Sequence, residues 1–365
     1  MSAGISESMP AIVLGGTGYV AGELLRLLAG HPRLAVAAVL SDSRSGGGVE
    51  AAFPHLAGCY PGMAFSGREE IVRLMGERLT GEQPAAVLCA APHGAAAPLL
   101  DELLTAAGRA GSEVKVVDVS ADFRFAAGAA YEAVYGHPHG APDRLGEFVC
   151  ALPEHLTGTP AGHVGHPGCF VTATLLAAVP LLKLGLVEPR LSVVAVTGST
   201  GAGRKPADST HHPARRSNLF AYSPLQHRHE PEMRALAAAA SGVEAEIFFT
   251  PQAGPFARGI YATLQARLVR PMATEEVRQA LAGFYAGAPF VDVTPEPPRL
   301  QDVVGTNRAK LSVAVSGDQL GDHLVVLSAI DNLVKGAAGG AIQWMNRLLG
   351  FPETAGLMTP GLGWL

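Results

Sequence analysis

Ala11-Ile12-Val13-Leu14-Gly15-Gly16-Thr17-Gly18-Tyr19-Val20-Ala21-Gly22 is the stretch that decides the fold. Four consecutive apolar residues suit a buried parallel strand, which has no solvent face to alternate with. The glycines after them let the backbone turn tightly, and an amphipathic segment from Glu23 to Ala29 suits a helix. Strand, glycine turn and helix in this order put N–H groups and the positive end of a helix dipole where a pyrophosphate binds. The spacing is G-x-x-G-x-x-A, not G-x-G-x-x-G, so the flanking strand and helix carry the assignment as much as the glycines do.

Outward from this turn the pattern repeats. A second strand, Ala35 to Leu40, runs into Ser41-Asp42-Ser43-Arg44-Ser45-Gly46. Such folds discriminate NAD from NADP at the end of this strand: an acid favours a free ribose 2′-hydroxyl, an arginine with serines a 2′-phosphate. Both types are present; Ser43 and Arg44 are the expected phosphate ligands, and NADP(H) the expected cofactor. Ala85–Ala90 leads into Ala91-Pro92-His93-Gly94, and Val114–Ser120 into Ala121-Asp122-Phe123-Arg124. Strands alternating with helical segments predict a doubly wound parallel sheet of Rossmann type, α/β in class, with ligands beyond the C-terminal strand ends. Pro92-His93-Gly94 and Ser120-Ala121-Asp122 stand at those ends, His93 as a packing residue.

The chain has 365 residues, enough for two domains; 48% hydrophobic and 16% charged residues describe a globular protein with an ample core. A formal net charge of -5 argues against nucleic acid as the main partner. No apolar run reaches the ~20 residues of a membrane span. Met1 to Pro10 has no basic patch followed by an apolar core, so it reads as a loose tail rather than a secretory signal. Cys59, Cys89, Cys150 and Cys169 make neither a CxxC pair nor a disulfide framework, which fits a reducing cytoplasm. Cys89 and Cys150 read as small buried apolar residues; Cys59 carries no assignment.

Cys169 has the activating setting, in Gly165-His166-Pro167-Gly168-Cys169-Phe170-Val171-Thr172-Ala173-Thr174. It lies in a glycine-bracketed turn before an apolar helical stretch that ends near Leu184, with Pro180 set to kink it. The positive end of that helix favours the thiolate, which is the nucleophile. A nucleophilic cysteine together with a nicotinamide cofactor points to hydride transfer through a thioester. Leu191–Val196 reads as a strand, followed by Thr197-Gly198-Ser199-Thr200-Gly201-Ala202-Gly203-Arg204, a loop suited to a phosphorylated or carboxylated substrate. Strands are also expected at Tyr261–Val269, Leu311–Val315 and Leu324–Ile330, with Arg258 as a candidate anion ligand. Asp331 is expected to cap a final amphipathic helix through Leu349. Two histidine clusters, His211-His212 and His227-Arg228-His229, lack carboxylates or thiolates at ligand spacing, so no metal is expected. A histidine near its free pKa can instead exchange protons with a hemithioacetal; the sequence does not show which one faces the sulfur.

Taken in order, Gly15–Leu24, Pro92-His93-Gly94, Asp118–Arg124, Leu152-Pro153-Glu154, Pro167-Gly168-Cys169, Gly201-Ala202-Gly203-Arg204, His227-Arg228-His229, Gly305-Thr306-Asn307 and Asp331–Gly339 resemble the N-acetyl-γ-glutamyl-phosphate reductase family, of the wider aspartate-semialdehyde dehydrogenase type. The resemblance spans about Ala11 to Leu357. It implies NADPH-dependent reduction of a small-molecule acyl phosphate in arginine biosynthesis, with Cys169 as nucleophile, His229 as acid–base partner and His227 second. It further implies that Gly15, Thr17, Gly18, Tyr19 and Ala21 form the cofactor turn, that Pro92 lines it and that Asn332 lies near the nicotinamide. Ser199, Arg204 and Arg258 are the expected substrate-anion ligands. The implied architecture is a Rossmann-type domain (residues 1–164 and 331–365, the C-terminal helix returning to it) and an α+β catalytic and oligomerisation domain (165–330), in a homo-oligomer, tetramer or dimer, with no membrane. The family usually has asparagine at His166, tyrosine-proline at Phe170-Val171, histidine at Gln252 and glutamine at Gly340.

The nearest rival is the sister reductase of lysine biosynthesis, which acts on an aminoadipyl phosphate attached to an acidic amino-group carrier protein. Thr210-His211-His212-Pro213-Ala214-Arg215-Arg216 resembles that group, and its arginines suit an acidic partner. A non-catalytic NADP-sensing protein would keep the fold but has no need of the thiol or the histidines. A plain thiol hydrolase would leave the nucleotide turn unexplained.

Overall fold

The computed structural model describes residues 8–77, 84–317 and 320–363; the tail expected at Met1 to Pro10 lies outside them for residues 1–7. Two compact units emerge. The first comprises residues up to Cys150, Gly158–His166 and Ala341–Met358; the second comprises Ala151–Thr157, Pro167–Gly340 and the last residues of the chain.

In the first unit, apolar runs without alternation become a fully parallel sheet. Its strands are β1 (Met9–Leu14), β2 (Leu34–Leu40), β3 (Ala85–Cys89), β4 (Val114–Asp118), β5 (Phe148–Cys150) and β6 (His163–Gly165), in the order β2-β1-β3-β4-β6-β5. Ala11–Leu14 and Ala85–Cys89 are buried on both faces, as a parallel sheet covered by helices requires. The chain leaves β1 in opposite directions toward β2 and β3, which makes the C-terminal ends of β1 and β3 the switch point where ligands bind. Cys89 is wholly buried, Cys59 is exposed, and Cys150, expected to be buried, is half-buried on the edge strand β5. The C-terminal segment returns to this unit: His31 Nε2 meets Asn346 Oδ1 at 3.0 Å, and Gly356 lies so close to His31 that a side chain there would strike the ring.

The second unit is built on a mixed sheet of β7 (Arg190–Thr197), β8 (Phe220–Ala221), β9 (Glu246–Ala253), β10 (Ile260–Met272), β11 (Val291–Val293), β12 (Ala309–Val315) and β13 (Gly321–Ile330). The order is β11-β12-β13-β10-β7-β9-β8, with parallel pairs β7/β9 and β11/β12. Here the strands do alternate: Leu191, Val193, Ala195 and Thr197 of β7 are buried, Ser192 and Val194 exposed. The helix Cys169–Lys183 packs on β10 and β13, and Phe170 to Leu182 are all buried. A helix apolar all round belongs in a core. Pro180 does not end it. The missing N–H leaves the Leu176 carbonyl without its helical donor, and the Tyr285 hydroxyl donates to that carbonyl at 2.7 Å.

The single helix expected from Asp331 is two elements. A π-helical turn, Val334–Ala338, precedes the helix Gly339–Leu348. Gly336 N–H donates to Asp331 O (3.0 Å) and Ala338 N–H to Leu333 O (2.8 Å), five residues back in each case. Residues 331–340, read from the sequence with the first domain, pack within the second unit. The reason is the set of partners held by Asp331 and Lys335, described below.

Candidate active site

In the first unit the glycine turn is compressed between strand ends. Gly15 has φ +82°, and a Cβ there would overlap the Ala90 carbonyl. A Cβ on Gly16 would come within 2.7 Å of Leu40 O. Gly18 differs: only Gly15 O lies near its Cβ position, at 3.8 Å, so this face of the turn is open. Gly18 is extended and starts the helix Tyr19–Leu28, which has neither a side-chain cap nor an acid in its first turn. An open glycine face beside an uncapped helix start fits a dinucleotide pyrophosphate. Thr17 and Tyr19 stand at the turn with partly or largely open side chains; the Ala21 side chain is fully buried, leaving only its backbone for a ligand.

The neighbouring loops are laced together. After β2, Asp42 Oδ1 accepts from Arg68 N–H at 2.9 Å and so caps the helix Arg68–Glu77. Ser43 and Arg44 are exposed beside it. After β3, Pro92 is exposed, and Asp122 accepts from Gly94 N–H (2.7 Å), Ala97 N–H (2.9 Å) and the Tyr131 hydroxyl (3.1 Å). His93 is exposed, and its Nδ1 accepts from Ala121 N–H at 2.9 Å. Burial raises the Asp118 carboxyl to about 6 although Ser120 donates to it. His166 is fully buried; its N–H donates to Asp118 O (2.7 Å) and its carbonyl accepts from Arg124 Nε (3.0 Å).

In the second unit Cys169 is the first residue of its helix and half-exposed, with extended Gly168 before it. Gly168 O accepts from Thr172 N–H (2.8 Å) and Thr172 Oγ1 (3.1 Å), closing the first turn, and Gly168 N–H donates to Glu232 Oε1 at 2.8 Å. Glu232 is wholly buried and lies one turn along the helix His229–Ser241, which begins with His229. One helix therefore supplies both the acid–base candidate and the carboxylate that holds the turn before Cys169. His229 and His227 both lie against Phe170, the residue after Cys169, with ring centroids 6.0 and 5.7 Å away, and 4.7 Å from each other.

The two histidines differ. His227 Nδ1 accepts from His229 N–H at 3.2 Å, which assigns its proton to Nε2. Burial, helped by Arg228, pushes His227 down to about 4. His227 is thus neutral at pH 7, and its ring orients the start of the helix. Tyr222 packs on His227 with centroids 5.6 Å apart, and burial together with the Cys169 charge pushes its hydroxyl up. Behind Cys169 stands Gly336: a Cβ there would lie 2.7 Å from Cys169 Cβ and 3.1 Å from its Cα. Only glycine allows the π-helical turn this close.

The hydroxyl-rich loop is ordered rather than loose. Ser199 N–H donates to Phe256 O (2.9 Å), Thr200 N–H to Ala257 O (3.0 Å) and Gly198 N–H to Gly259 O (2.9 Å). Asn332, expected near the nicotinamide, uses its amide here: Oδ1 accepts from Gly259 N–H (2.7 Å) and Nδ2 donates to Thr200 Oγ1 (3.0 Å). Arg258 is paired with buried Asp331, at 3.0 Å through Nε and 2.9 Å through a terminal nitrogen. Asp331 also accepts from Gly305, Leu333 and Val334 N–H groups, which caps the turn as its sequence position predicts. Ser199 is half-exposed and Arg204, with His211 and His212, exposed. Glu232, Tyr222 and Lys335 carry no local sequence signal; an acid three residues after His229 is the one trace of the Glu232 role.

Two family models match. Residues 10–148 match the semialdehyde dehydrogenase NAD binding domain and residues 169–332 the semialdehyde dehydrogenase dimerisation domain. Among curated proteins, N-acetyl-gamma-glutamyl-phosphate reductase of Moorella thermoacetica is 37% identical over 359 residues, covering 96% of this chain and 98% of its own length. The protein of that name from Methanopyrus kandleri is 40% identical, with the same coverage. Among solved structures, aspartate semialdehyde dehydrogenase II from Vibrio cholerae superposes with a TM-score of 0.67 at 16% identity, covering 94% of this chain and 99% of that one, which establishes a shared fold. With a semialdehyde dehydrogenase nicotinamide domain ahead of the cysteine helix, and such identity along nearly its whole length, the chain belongs to the N-acetyl-γ-glutamyl-phosphate reductase family of semialdehyde dehydrogenases.

Proposed function

We propose that this protein reduces N-acetyl-γ-glutamyl phosphate to N-acetylglutamate 5-semialdehyde, with NADPH as reductant and Cys169 as nucleophile. The observation that carries the reading is Cys169 at a helix N-terminus, with its turn held by Glu232 and with His229, from the same helix as Glu232, against the neighbouring Phe170. His229 takes the Sγ proton; the thiolate attacks the acyl carbon, a C–S bond forms, the C–O bond to phosphate breaks and phosphate leaves. A nicotinamide, when bound, would supply the hydride that reduces this thioester. His229 protonates the resulting hemithioacetal oxygen and takes that proton back as the C–S bond breaks, releasing the aldehyde and the thiolate. First-turn N–H groups of the helix Cys169–Lys183 favour the negative charge on sulfur.

Gly15, Thr17, Gly18, Tyr19 and the Ala21 backbone would hold the pyrophosphate, with Pro92 beside them. Asp42 is occupied as a helix cap while Ser43 and Arg44 are exposed, which supports a 2′-phosphate and hence NADPH. Ser199 and Arg204 are the substrate-anion ligands in this reading; Arg258 acts through its pairing with Asp331, and Asn332 by holding the Thr200 and Gly259 loops together. The matched dimerisation domain supports a homo-oligomer, and four free cysteines suit a reducing cytoplasm. Among the described residues no helix is long and apolar enough to cross a membrane.

The test is the reverse reaction with purified protein: phosphate-dependent NADP reduction by N-acetylglutamate semialdehyde. Turnover that vanishes in Cys169→Ser, with NADPH binding kept, is the expected result. Absence of turnover in the unchanged protein moves the reading to an aminoadipyl substrate on an acidic carrier.

A further inference from the structure

The peptide Ala151–Thr157 belongs to the second unit although both its flanking strands belong to the first. It contributes two neighbouring side chains, and each grips an element next to Cys169. Glu154 Oε1 meets Lys335 Nζ at 2.5 Å, with both side chains essentially out of solvent (1% and 0% exposed). The ammonium also lies 5.7 Å from the Phe290 ring centroid. Lys335 sits in the π-helical turn immediately before Gly336, the residue whose Cα packs on Cys169. His155 Nε2 donates to the Tyr285 oxygen (3.0 Å), and the Tyr285 hydroxyl donates to Leu176 O (2.7 Å). Burial pushes His155 down to about 4, which keeps it neutral and suited to one donor role. Leu176 O is the carbonyl exposed by Pro180, on the helix that Cys169 begins. One short strap thus holds the turn behind the nucleophile and the helix beneath it.

A buried lysine–glutamate pair is a poor way to add stability. Desolvating both charges costs about what their attraction returns, and an apolar pair of similar volume is often as stable or more so. What the pair does provide is a single allowed geometry for the π-helical turn. Such turns are wider than α-helix, are rare, and recur at functional positions.

Resting on the reading of Cys169 as nucleophile, we propose that Glu154 and Lys335 are positioning residues for Cys169: their ion pair sets the π-helical turn so that Gly336 fixes the place of the sulfur. Neither residue touches the reacting atoms.

The experiment uses the full chain with Glu154→Asp, which keeps the charge but shortens its reach, and the double replacement Glu154→Leu with Lys335→Met, which removes both charges together. Thermal midpoint, kcat, KM and the pH profile of Cys169 alkylation by iodoacetamide, read by peptide mass, are measured for each. The double replacement is expected to fold with a midpoint close to the unchanged protein, to keep KM, and to lose ~10²-fold in kcat, the usual cost of displacing a reacting group by ~1 Å. The alkylation profile is expected to shift in both variants. Unchanged kcat and alkylation in a folded variant overturn the proposal and leave the pair a packing element. If the double replacement does not fold, the same two readouts from Glu154→Asp decide between these outcomes. Cys169→Ser is run beside them: if it turns over, the nucleophile reading fails, whereas the alkylation profile still reports whether the pair positions the sulfur.

Discussion

Gly336→Ala isolates the contact between the π-helical turn and Cys169, the proposed nucleophile. The added Cβ would lie 2.7 Å from Cys169 Cβ, 3.1 Å from Cys169 Cα and 3.4 Å from Ile330 Cδ1. Carbon atoms rest at ~3.5–4.0 Å, so about 1 Å must be found. Cys169 cannot yield freely, because Glu232 pins Gly168 and Thr172 closes the first turn. Gly336 itself lies in a helical turn without a positive φ, so alanine brings no backbone strain. Its helix propensity favours folding by ~1 kcal/mol, against ~1–3 kcal/mol for overpacking; the fold should lose ~0–2 kcal/mol net. Activity should lose more: ~1 Å of misplacement corresponds to ~10²-fold in kcat, or about 2.7 kcal/mol of transition-state stabilisation. The assay is kcat for phosphate-dependent NADP reduction beside a denaturant melt of the same preparation. Wild-type kcat from a folded Gly336→Ala protein would refute the claim that this glycine sets the place of the sulfur.

Three further outcomes follow from the geometry. His229→Asn should lower kcat by ~10²-fold or more and His227→Gln by under ~10-fold, since the proposed mechanism gives proton exchange to His229; the reverse ranking in steady-state kinetics would reassign the roles. Arg44→Ala should weaken NADPH by ~10–100-fold through loss of a charge-assisted hydrogen bond, while NADH changes little; equal weakening in a binding titration would show that Arg44 does not read the 2′-phosphate. His155, His163 and His227 are each pushed down to about 4 by burial, so the unfolded chain binds more protons than the fold between pH 6.5 and 4. Their contribution is lost as pH falls through that window, whereas Asp118, raised to about 6, acts in the opposite sense. The net of about two protons gives a slope of roughly 2.7 kcal/mol per pH unit near pH 5 as an upper limit, checked by urea melts against pH; a flat profile there would refute the assignment.

The nucleotide turn is legible in the sequence because its signals are local. Unbroken apolar runs, glycines and an amphipathic helix follow one another within Ala11–Ala29, and β1, the turn and the helix Tyr19–Leu28 form where they predict. Cys169 is legible for the same reason: Gly168 and the apolar run Phe170–Leu182 define a helix start around it. The final helix departs from expectation because Asp331 and the small residues after it also suit an ordinary α-helix. The π-helical turn is imposed by partners far off in sequence, namely Glu154 on Lys335, Arg258 on Asp331 and Cys169 against Gly336.

By itself, then, the sequence determined the parallel sheet, the glycine turn and the cysteine at a helix start, since each depends on residues within a few positions of one another. Tertiary structure decided how the two histidines are held: half-buried His227 accepts the His229 N–H, and buried His229 begins the helix that carries Glu232. It also decided that Glu232 pins the turn before Cys169, that Asn332 holds two loops, and that residues 331–340 pack with the second unit. These depend on contacts between positions 64 to 181 residues apart, and periodicity along a chain carries no information about which distant groups will meet.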